Sequence, residues 1–525
     1  MNNTTAITVD EDELPLHFNA ADHFIERHIQ SGLGDKTAVI DDRGRYSYAD
    51  LSVRSNRVAQ ALQNLGLKQE DRIALAVLDS VEFVDLFWGA LKAGIVPVCL
   101  NTLLTSEHYQ YIVADSRVQV LFVSAALLDQ FRPILAQLPH LEQLILVADE
   151  AGEYPLLRDL TANQSDQFDS VETHRDDVAF WLYSSGSTGN PKGVLHRHSS
   201  LYWSASLYGR AVLGIAASDT VYSAAKLFFA YGLGNGMSFP FLVGATVVLY
   251  SGRPTPDAVM ACMRDHEVTI FYGVPTLYAA ILADPGNTSD NGSQSLRLCV
   301  SAGEALPAEL GNRWWQRFGV DILDGVGSTE MLHIYISNRP GEVHYGSSGT
   351  PVPGYEAKLV DEHDADVGDG EIGELLIRGL TAPNGYWNQR RKTVHTFIGE
   401  WTRTGDKYTR DDQGLYYYSG RTDDMFKSGG NWVSPFEVES ALIAHDQVLE
   451  AAVVARADDS NNLKPMAYVV LKEGVEASEA LSGELQEFVN SRLELWKRPR
   501  WIEFRDGFPK TATGKIQRFK LREFG

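Results

Sequence analysis

The segment Tyr183–Gly193 reads YSSGSTGNPKG and combines the residue types that proteins use to hold a polyphosphate. Its glycines let backbone N–H groups approach an anion closely, its hydroxyl side chains add hydrogen-bond donors, and Lys192 adds a positive charge. It is not a Walker loop, because Lys192 is followed by glycine rather than by Ser or Thr. The segment follows a strand-like stretch, so it predicts a phosphate-binding loop; the alternative is an ordinary Ser/Gly loop.

Three further motifs supply carboxylates and a second lysine. The motif DGVGSTE ends at Glu330, a carboxylate suited to Mg²⁺, which prefers oxygen ligands. The motif TGD places Asp406 directly after a glycine, where its two oxygens would accept both ribose hydroxyls. The motif PKTATGK presents Lys515 on a loop, and Ile516 after it excludes a Walker motif. Taken one at a time, each of these carboxylates is more simply interpreted as a turn residue, and Lys515 as a solvated surface lysine.

The composition is that of a large acidic globular protein. The chain has 525 residues, which suggests roughly three or four domain-sized units. Its 69 acidic and 46 basic residues give a net charge of −23, which disfavours nucleic acid and anionic membranes as partners. Its first residues lack the features of a secretory signal, and no apolar run approaches the roughly 20 residues of a membrane helix. We therefore expect a cytoplasmic protein.

The cysteines and the longest apolar run both predict buried structure. Cys99, Cys262 and Cys299 are widely spaced among apolar neighbours, which favours buried thiols over disulfides or a zinc site. The longest apolar run, Phe239–Tyr250, is interrupted by Pro240 and Gly244, and we predict that it is a buried strand.

Helix-like and strand-like segments alternate over most of the chain. Leu51–Leu65 has helical spacing and stops at Gly66, and Arg72–Leu78 then reads as a buried strand. This alternation predicts an α/β fold with substantially parallel sheets. After Pro351, short strands among Gly/Asp-rich turns predict an antiparallel sheet or small barrel. We place a flexible tail at 1–14, an N-terminal domain at 15–420, a hinge at 421–424 and an α+β C-terminal domain at 425–525.

In this order, the motifs resemble those of the adenylate-forming superfamily of acyl-CoA synthetases, carrier-charging adenylation domains and luciferases. The resemblance extends from YSYADL (Tyr46–Leu51) to Lys515. It implies a large N-terminal domain of two α/β lobes plus a small β-barrel, and a small mobile α+β C-terminal domain that turns about Asp423. It also implies that a carboxylic acid reacts with ATP to give an acyl-adenylate and pyrophosphate, and that a thiol then displaces AMP. ATP, Mg²⁺ and CoA are the implied cofactors and co-substrates.

The same resemblance assigns roles to individual residues. Those implied to hold the ATP phosphates are Ser185, Ser187, Thr188 and Lys192. Those implied to line the adenine are Ser301, Ala302, Gly303, Glu304, Asp324 and Gly325. Thr329 is implied to contact the α-phosphate, Glu330 to hold Mg²⁺, and Asp406 and Arg421 to grip the ribose. Lys515 is implied to bridge the carboxylate and the α-phosphate. Those implied to meet CoA are Lys427, Gly429, Gly430 and Trp432.

The predicted acid pocket narrows the substrate class. KLFFAYGLG (Lys226–Gly234) and HIYISN (His333–Asn338) resemble benzoate–CoA ligases more closely than fatty-acid or acetate enzymes. They imply an apolar slot that suits one aromatic ring, and its walls are Ala230, Tyr231, Gly327, His333 and Ile334. The alternative for Phe228 and Phe229 is ordinary core. Residue types do not discriminate benzoate from hydroxy-, amino- or halobenzoates.

One departure from the family pattern concerns the CoA contacts. Asn431 and Trp432 follow the paired glycines, where many acyl-CoA synthetases carry a glutamate. An enzyme that charges a carrier protein, and an acyl-CoA synthetase for a small non-aromatic acid, remain alternatives to an aryl carboxylate–CoA ligase. A non-catalytic nucleotide-binding protein is disfavoured because the charged residues of all the motifs are present together. A homodimer is a further expectation.

Overall fold

The computed structural model describes residues 10–150, 152–184, 190–422, 424–429, 431–458, 462–510 and 516–522. Within these ranges the α-helices are Arg27–Gln30, Tyr48–Asn64, Val81–Lys92, Ser106–Ser116, Leu128–Phe131, Leu157–Thr161, His198–Ser204, Ala230–Leu233, Phe239–Val243, Pro256–Asp265, Pro275–Ala283, Ala308–Phe318, Arg390–Thr396, Pro435–Ile443, Glu479–Asn490 and Arg518–Arg522. The π-helices are Asp22–Glu26, Ala205–Arg210 and Gly234–Ser238, and the 3-10 helices are Glu11–Glu13, Ala125–Leu127, Leu135–Gln137, Ser289–Asn291 and Leu495–Lys497. None of the described helices is both long and apolar enough to cross a bilayer.

A six-stranded sheet carries the first motif. Its strands, in spatial order, are Gln143–Val147, Val120–Ser124, Arg72–Ala76, Val96–Cys99, Val178–Ser184 and Lys192–Arg197. The first five are parallel to their neighbours, and the last pairs antiparallel with Val178–Ser184. The 185–191 connection therefore leaves the sheet at the carboxyl end of a parallel strand, which is where α/β folds bind ligands.

A nine-stranded sheet carries the predicted adenine and magnesium motifs. Its strands, in spatial order, are Thr350–Pro351, Ile334–Ser337, Ile322–Gly327, Leu298–Ser301, Ile270–Gly273, Thr220–Ser223, Thr246–Val248, Thr37–Asp41 and Gly44–Ser47. The pairs from Ile322–Gly327 across to Thr37–Asp41 are parallel, and those at both edges are antiparallel. The two sheets confirm the predicted α/β fold with substantially parallel strands.

An antiparallel five-stranded sheet follows where the small barrel was predicted. It contains Glu356–Val360, Gly373–Arg378, Trp401–Arg410 and Phe397–Ile398, and Tyr416–Arg421 pairs with Trp401–Arg410. The C-terminal α+β unit contains the hairpin Phe426–Ser428 and Asn431–Val433. It also contains a sheet of Val448–Ala457, Leu463–Leu471 and Trp501–Phe504. This unit has an apolar cluster of its own, around Val438, Leu442, Val453 and Leu485.

Local sequence explains where the longest helix begins. The Ser47 side chain accepts a hydrogen bond from the Asp50 backbone N–H, and the Asp50 carboxylate accepts one from the Ser47 N–H. This capping box starts the helix Tyr48–Asn64 three residues earlier than hydrophobic spacing alone predicted. Buried residues on one face then fix the helix against Val81–Lys92.

Two sequence expectations need correction. The first half of Phe239–Tyr250 is a helix, Phe239–Val243, because Pro240 occupies its first turn and Gly244 ends it in the left-handed region (φ 76°). The strand begins only at Thr246. Leu14, which we placed in the flexible tail, is 3% exposed, and Arg175 donates to its carbonyl oxygen at 2.6 Å. The three cysteines are buried, as predicted.

Candidate active site

A cleft of about 2590 Å³ separates the N-terminal sheets from the C-terminal unit. Its lining combines residues of the predicted nucleotide motifs with residues near the chain end: Lys192, Thr329, Glu330, Asp406, Arg421, Glu439, Lys510 and Arg518. Four residues predicted for ATP or catalysis (Ser185, Ser187, Thr188 and Lys515) lie outside the described residues, as do Asp423 and Gly430.

Lys192 occupies one end of the cleft. It pairs with Ser184 across the hairpin that carries the predicted phosphate loop, so its position is set by sheet register. Its Nζ lies 3.6 Å from Glu330 Oε1 and donates to the Tyr386 hydroxyl at 3.2 Å. Burial lowers the pKa of Lys192, and the negative charge of Glu330 opposes that shift. The structure therefore brings together the predicted phosphate lysine and the predicted metal carboxylate.

Thr329 and Glu330 lie on the connection between two antiparallel strands of the nine-stranded sheet. Gly327, at the end of one strand, pairs with Ile334, at the start of the other. A Cβ at Gly327 would lie 2.5 Å from the His333 carbonyl oxygen, closer than any real contact, so only glycine permits this approach. The close approach holds the turn that presents both side chains to the cleft.

The predicted adenine residues come from adjacent parallel strands. Ser301 is the register partner of Asp324, so the two strands end side by side. Gly303, Glu304, Asp324 and Gly325 line the cleft, whereas Ser301 and Ala302 are buried and do not. Among the described residues, neither Ser301 Oγ nor Asp324 Oδ1 has a hydrogen-bond partner, and burial raises the pKa of Asp324 well above its usual value. Unsatisfied buried polar atoms at this edge fit a site for a heteroaromatic ligand.

The predicted ribose pair is assembled by the five-stranded sheet. Asp406 and Arg421 are register partners on neighbouring strands. Arg421 Nη1 donates to Asp406 Oδ1 at 2.9 Å and to the Thr404 carbonyl oxygen at 3.2 Å. Both side chains line the cleft, so a hydroxylated ligand meets a carboxylate whose geometry is already fixed.

Most of the predicted acid-pocket residues do not line the cleft. Of these residues, Gly327 lines the cleft, whereas Ala230, Tyr231, His333 and Ile334 do not. His333 is buried, and its Nε2 lies 3.1 Å from Asn235 Oδ1 and 3.2 Å from the Tyr231 carbonyl oxygen. Burial lowers its pKa to about 3, which keeps the ring neutral. Phe228 and Phe229, which sequence alone left between pocket and core, both line the cleft.

The predicted CoA residues lie elsewhere. Lys427 and Trp432 face each other across the hairpin of the C-terminal unit, with Lys427 Nζ 4.8 Å above the indole ring. Neither they nor Gly429 line the cleft, and Trp432 is 37% exposed. The C-terminal unit instead presents Lys510, Ile516, Gln517 and Arg518 to the cleft.

Sequence reasoning missed several residues that line the cleft, chiefly Tyr386, Lys392, Glu439 and Arg518. Tyr386 donates to Glu330 Oε1 at 2.8 Å, and Arg518 forms a two-point ion pair with Glu439. The available signal was an aromatic pair beside a glycine in GYWN (residues 385–388), which by itself is indistinguishable from core.

With fold and geometry established, comparison with known proteins defines the class. The chain belongs to the AMP-binding enzyme family: the family model matches residues 25–387, and that of the AMP-binding enzyme C-terminal domain matches residues 437–515. This confirms the resemblance found in the sequence.

Individual relatives are similar over nearly the whole chain. A benzoate–CoA ligase of Thauera aromatica is 55% identical over 97% of each chain. A 4-hydroxybenzoate–CoA/benzoate–CoA ligase of Rhodopseudomonas palustris is 51% identical over 97% of this chain and 95% of its own. The crystal structure of the anthranilate CoA ligase AuaEII with anthranoyl-AMP has a TM-score of 0.95 and 44% identity, and the match covers 98% of this chain and 99% of that one.

Proposed function

We propose that this protein is an ATP-dependent aryl carboxylate–CoA ligase, an AMP-forming acid–thiol ligase that acts on benzoate or a substituted benzoate. One observation carries the proposal. A single cleft is lined by Lys192, Glu330 and the ion pair Asp406–Arg421, the residues proposed to meet the phosphates, Mg²⁺ and the ribose, in a chain 55% identical to a benzoate–CoA ligase.

The first half-reaction requires cations and directed donors more than a strong base. A carboxylate oxygen of the acid bonds to the α-phosphorus, and the bond from that phosphorus to the pyrophosphate oxygen breaks. Both reactants are anions, so the barrier falls when positive charge is held near the phosphates. Lys192 supplies such charge from the hairpin, and Thr329 lines the cleft where the α-phosphate is proposed to lie. Lys515 is proposed to bridge the two reactants.

Glu330 is the proposed protein ligand of Mg²⁺. Among the described residues there is no cluster of three His, Cys, Asp or Glu side chains that would cage a metal. A single carboxylate fits this chemistry, because Mg²⁺ is commonly bound by one or two carboxylates together with substrate phosphates and water. When bound, the ion would neutralise charge on the phosphates as pyrophosphate departs.

The acid is proposed to bind between Gly327 and the apolar side chains that follow Lys226. Phe228 and Phe229 supply aromatic surface to the cleft, with their ring centroids 4.3 Å apart. The proposed walls Tyr231 and His333 lie inward, with their rings 5.5 Å apart, and Ala230 and Ile334 are buried next to them. A flat, largely apolar slot of this kind favours a single ring over a flexible alkyl chain.

The second half-reaction requires a different placement of the C-terminal unit. The CoA sulfur bonds to the carbonyl carbon of the adenylate, the thiol gives up its proton, and the bond from that carbon to the AMP oxygen breaks. The hairpin with Lys427 and Trp432 lies outside the cleft in this structure. We propose that rotation about Asp423 withdraws the side that carries Lys515 and brings this hairpin, including Gly429 and Gly430, to the thiol.

The test is pyrophosphate and AMP release from the purified protein with Mg·ATP, across aromatic and aliphatic acids, with and without CoA. CoA-dependent AMP release with benzoate-like acids is the expected result. Turnover with aliphatic acids alone would refute the aromatic pocket, and adenylate formation without thioester would indicate a carrier protein. Absence of release with every acid would refute the ligase.

Location and assembly are separate parts of the proposal. ATP and CoA are held inside cells, which supports a cytoplasmic site of action. The proposed homodimer is tested by light scattering, where a particle of 58.1 kDa, the mass of one chain, would exclude it.

A further inference from the structure

Tyr386 lies between the two charged groups at the phosphate end of the cleft. Its hydroxyl donates to Glu330 Oε1 at 2.8 Å and accepts from Lys192 Nζ at 3.2 Å, while that Nζ also lies 4.3 Å from the centre of its ring. The side chain is 7% exposed, and the ring packs against Phe397.

The backbone around Tyr386 is fixed to the hairpin that carries Lys192. The Trp387 N–H donates to the Gly193 carbonyl oxygen at 2.8 Å, and the Leu195 N–H donates to the Gly385 carbonyl oxygen at 3.1 Å. Tyr386 forms an isolated antiparallel bridge with Val194. The main chain therefore sets the position of the phenol relative to Lys192, even though 194 residues separate the two in sequence.

Within the described part of the chain, Glu330 accepts a hydrogen bond on one carboxylate oxygen. The hydrogen bond from Tyr386 goes to Oε1, which is also the oxygen nearer to Lys192. Among the described residues, none donates a hydrogen bond to Oε2. A phenol on one carboxylate oxygen therefore orients the other without neutralising the carboxylate, which is how outer-shell partners orient metal ligands.

The geometry points to Tyr386 as a positioning residue for Mg·ATP: its hydroxyl holds Glu330 and Lys192 in the arrangement that receives the cation and the β- and γ-phosphates. AMP lacks those phosphates and does not engage either group. Loss of the hydroxyl should therefore weaken Mg·ATP binding and leave AMP binding unchanged. This inference rests on the proposed function only in that the cleft binds Mg·ATP.

The variant Tyr386→Phe removes the hydroxyl and keeps the ring that packs on Phe397. Titration calorimetry without any acid should show the Kd of Mg·ATP raised by about 10- to 100-fold, the range expected for a hydrogen bond to a charged group. The Kd of AMP should stay within about twofold of wild type. The matched control is Tyr417→Phe, which removes a 3.0 Å tyrosine–carboxylate bond to Asp411 outside the cleft and should change neither constant.

Three outcomes would overturn the inference. Unchanged Mg·ATP binding in Tyr386→Phe would show that the hydroxyl positions nothing. Equal weakening of ATP and AMP would show a general structural role. No Mg·ATP binding by the wild type would refute both this inference and the proposed function, whereas binding without turnover on any acid would refute only the latter.

Discussion

Glu439 and Arg518 are joined by two hydrogen bonds, from Arg518 Nε at 3.0 Å and from Nη2 at 2.6 Å. Glu439 is 4% exposed and also accepts a hydrogen bond from the Val453 N–H at 2.7 Å. The pair ties the helix Pro435–Ile443 to the helix Arg518–Arg522, which begins three residues after Lys515 in the sequence. It thereby fixes the helix Arg518–Arg522 to the body of the C-terminal unit.

Replacement of Glu439 by glutamine should destabilise the C-terminal unit, because the partly buried Arg518 guanidinium loses the nearer of its two carboxylate partners and keeps only Asp424, at 3.9 Å. We expect a loss of about 2–3 kcal/mol, read as a lower unfolding midpoint in urea. Glu487→Gln is the matched control, since Glu487 is exposed and pairs with Arg498 at 2.9 Å; its effect should stay within about 0.5 kcal/mol. Equal midpoints for the two variants would contradict this prediction.

Replacement of Asp406 by asparagine should weaken the binding of ATP and of AMP equally, because the proposed ribose contact is common to both nucleotides. Loss of hydrogen bonds to a charged group predicts Kd values raised by about 10- to 100-fold in calorimetric titrations. Asp412→Asn, an exposed change in the following turn, should leave both constants unchanged. Weaker binding of ATP with unchanged binding of AMP would contradict the ribose contact and assign Asp406 to the phosphates instead.

The pH dependence of adenylation should reflect the loss of the proton from the Lys192 ammonium group. Burial lowers its pKa below the usual 10.5, so in the free enzyme its ammonium is lost earlier as the pH rises. The charges of Lys392 and Arg421 act in the same direction, and that of Glu330 opposes them. We expect kcat/KM for ATP, measured by pyrophosphate release, to fall on the alkaline side at a pH below 10.5. Lys192→Arg keeps its charge in this range, so its alkaline fall should disappear; an identical fall in both proteins would assign it to another group.

Substitution of Gly327 by alanine should impair adenylation. Its new Cβ would lie 2.5 Å from the His333 carbonyl oxygen, so the strands must separate and displace Thr329 and Glu330. A displacement of about 1 Å predicts a rate loss of about 100-fold in pyrophosphate release. Gly483→Ala is the control, because no atom lies within 4 Å of its added Cβ; activity should be that of the wild type. A Gly327→Ala enzyme of normal activity would show that this turn tolerates a wider approach.

Local chemistry accounts for what was predictable in the site. The Gly/Ser/Thr loop before Lys192 and the GSTE and TGD motifs express their function within a few residues, so their order alone indicated nucleotide chemistry. The alternation of strands and helices predicted the α/β class for the same reason: burial of one face sets the spacing of apolar residues within each strand or helix. The strand prediction for Phe239–Tyr250 was wrong over its first half, because a short apolar stretch fits a buried helix as well as a buried strand.

The sequence by itself determined the family, the α/β class and the identity of Lys192, Glu330, Asp406 and Arg421 as candidates. Only the tertiary structure decided that Asp406 faces Arg421 across a strand pair, and that Tyr386 joins Lys192 to Glu330. The physical reason is that these contacts depend on sheet register and on the packing of segments far apart in the chain. No local pattern of residue types encodes that register, so a tyrosine that orders an active site has the same sequence signature as one that fills a core.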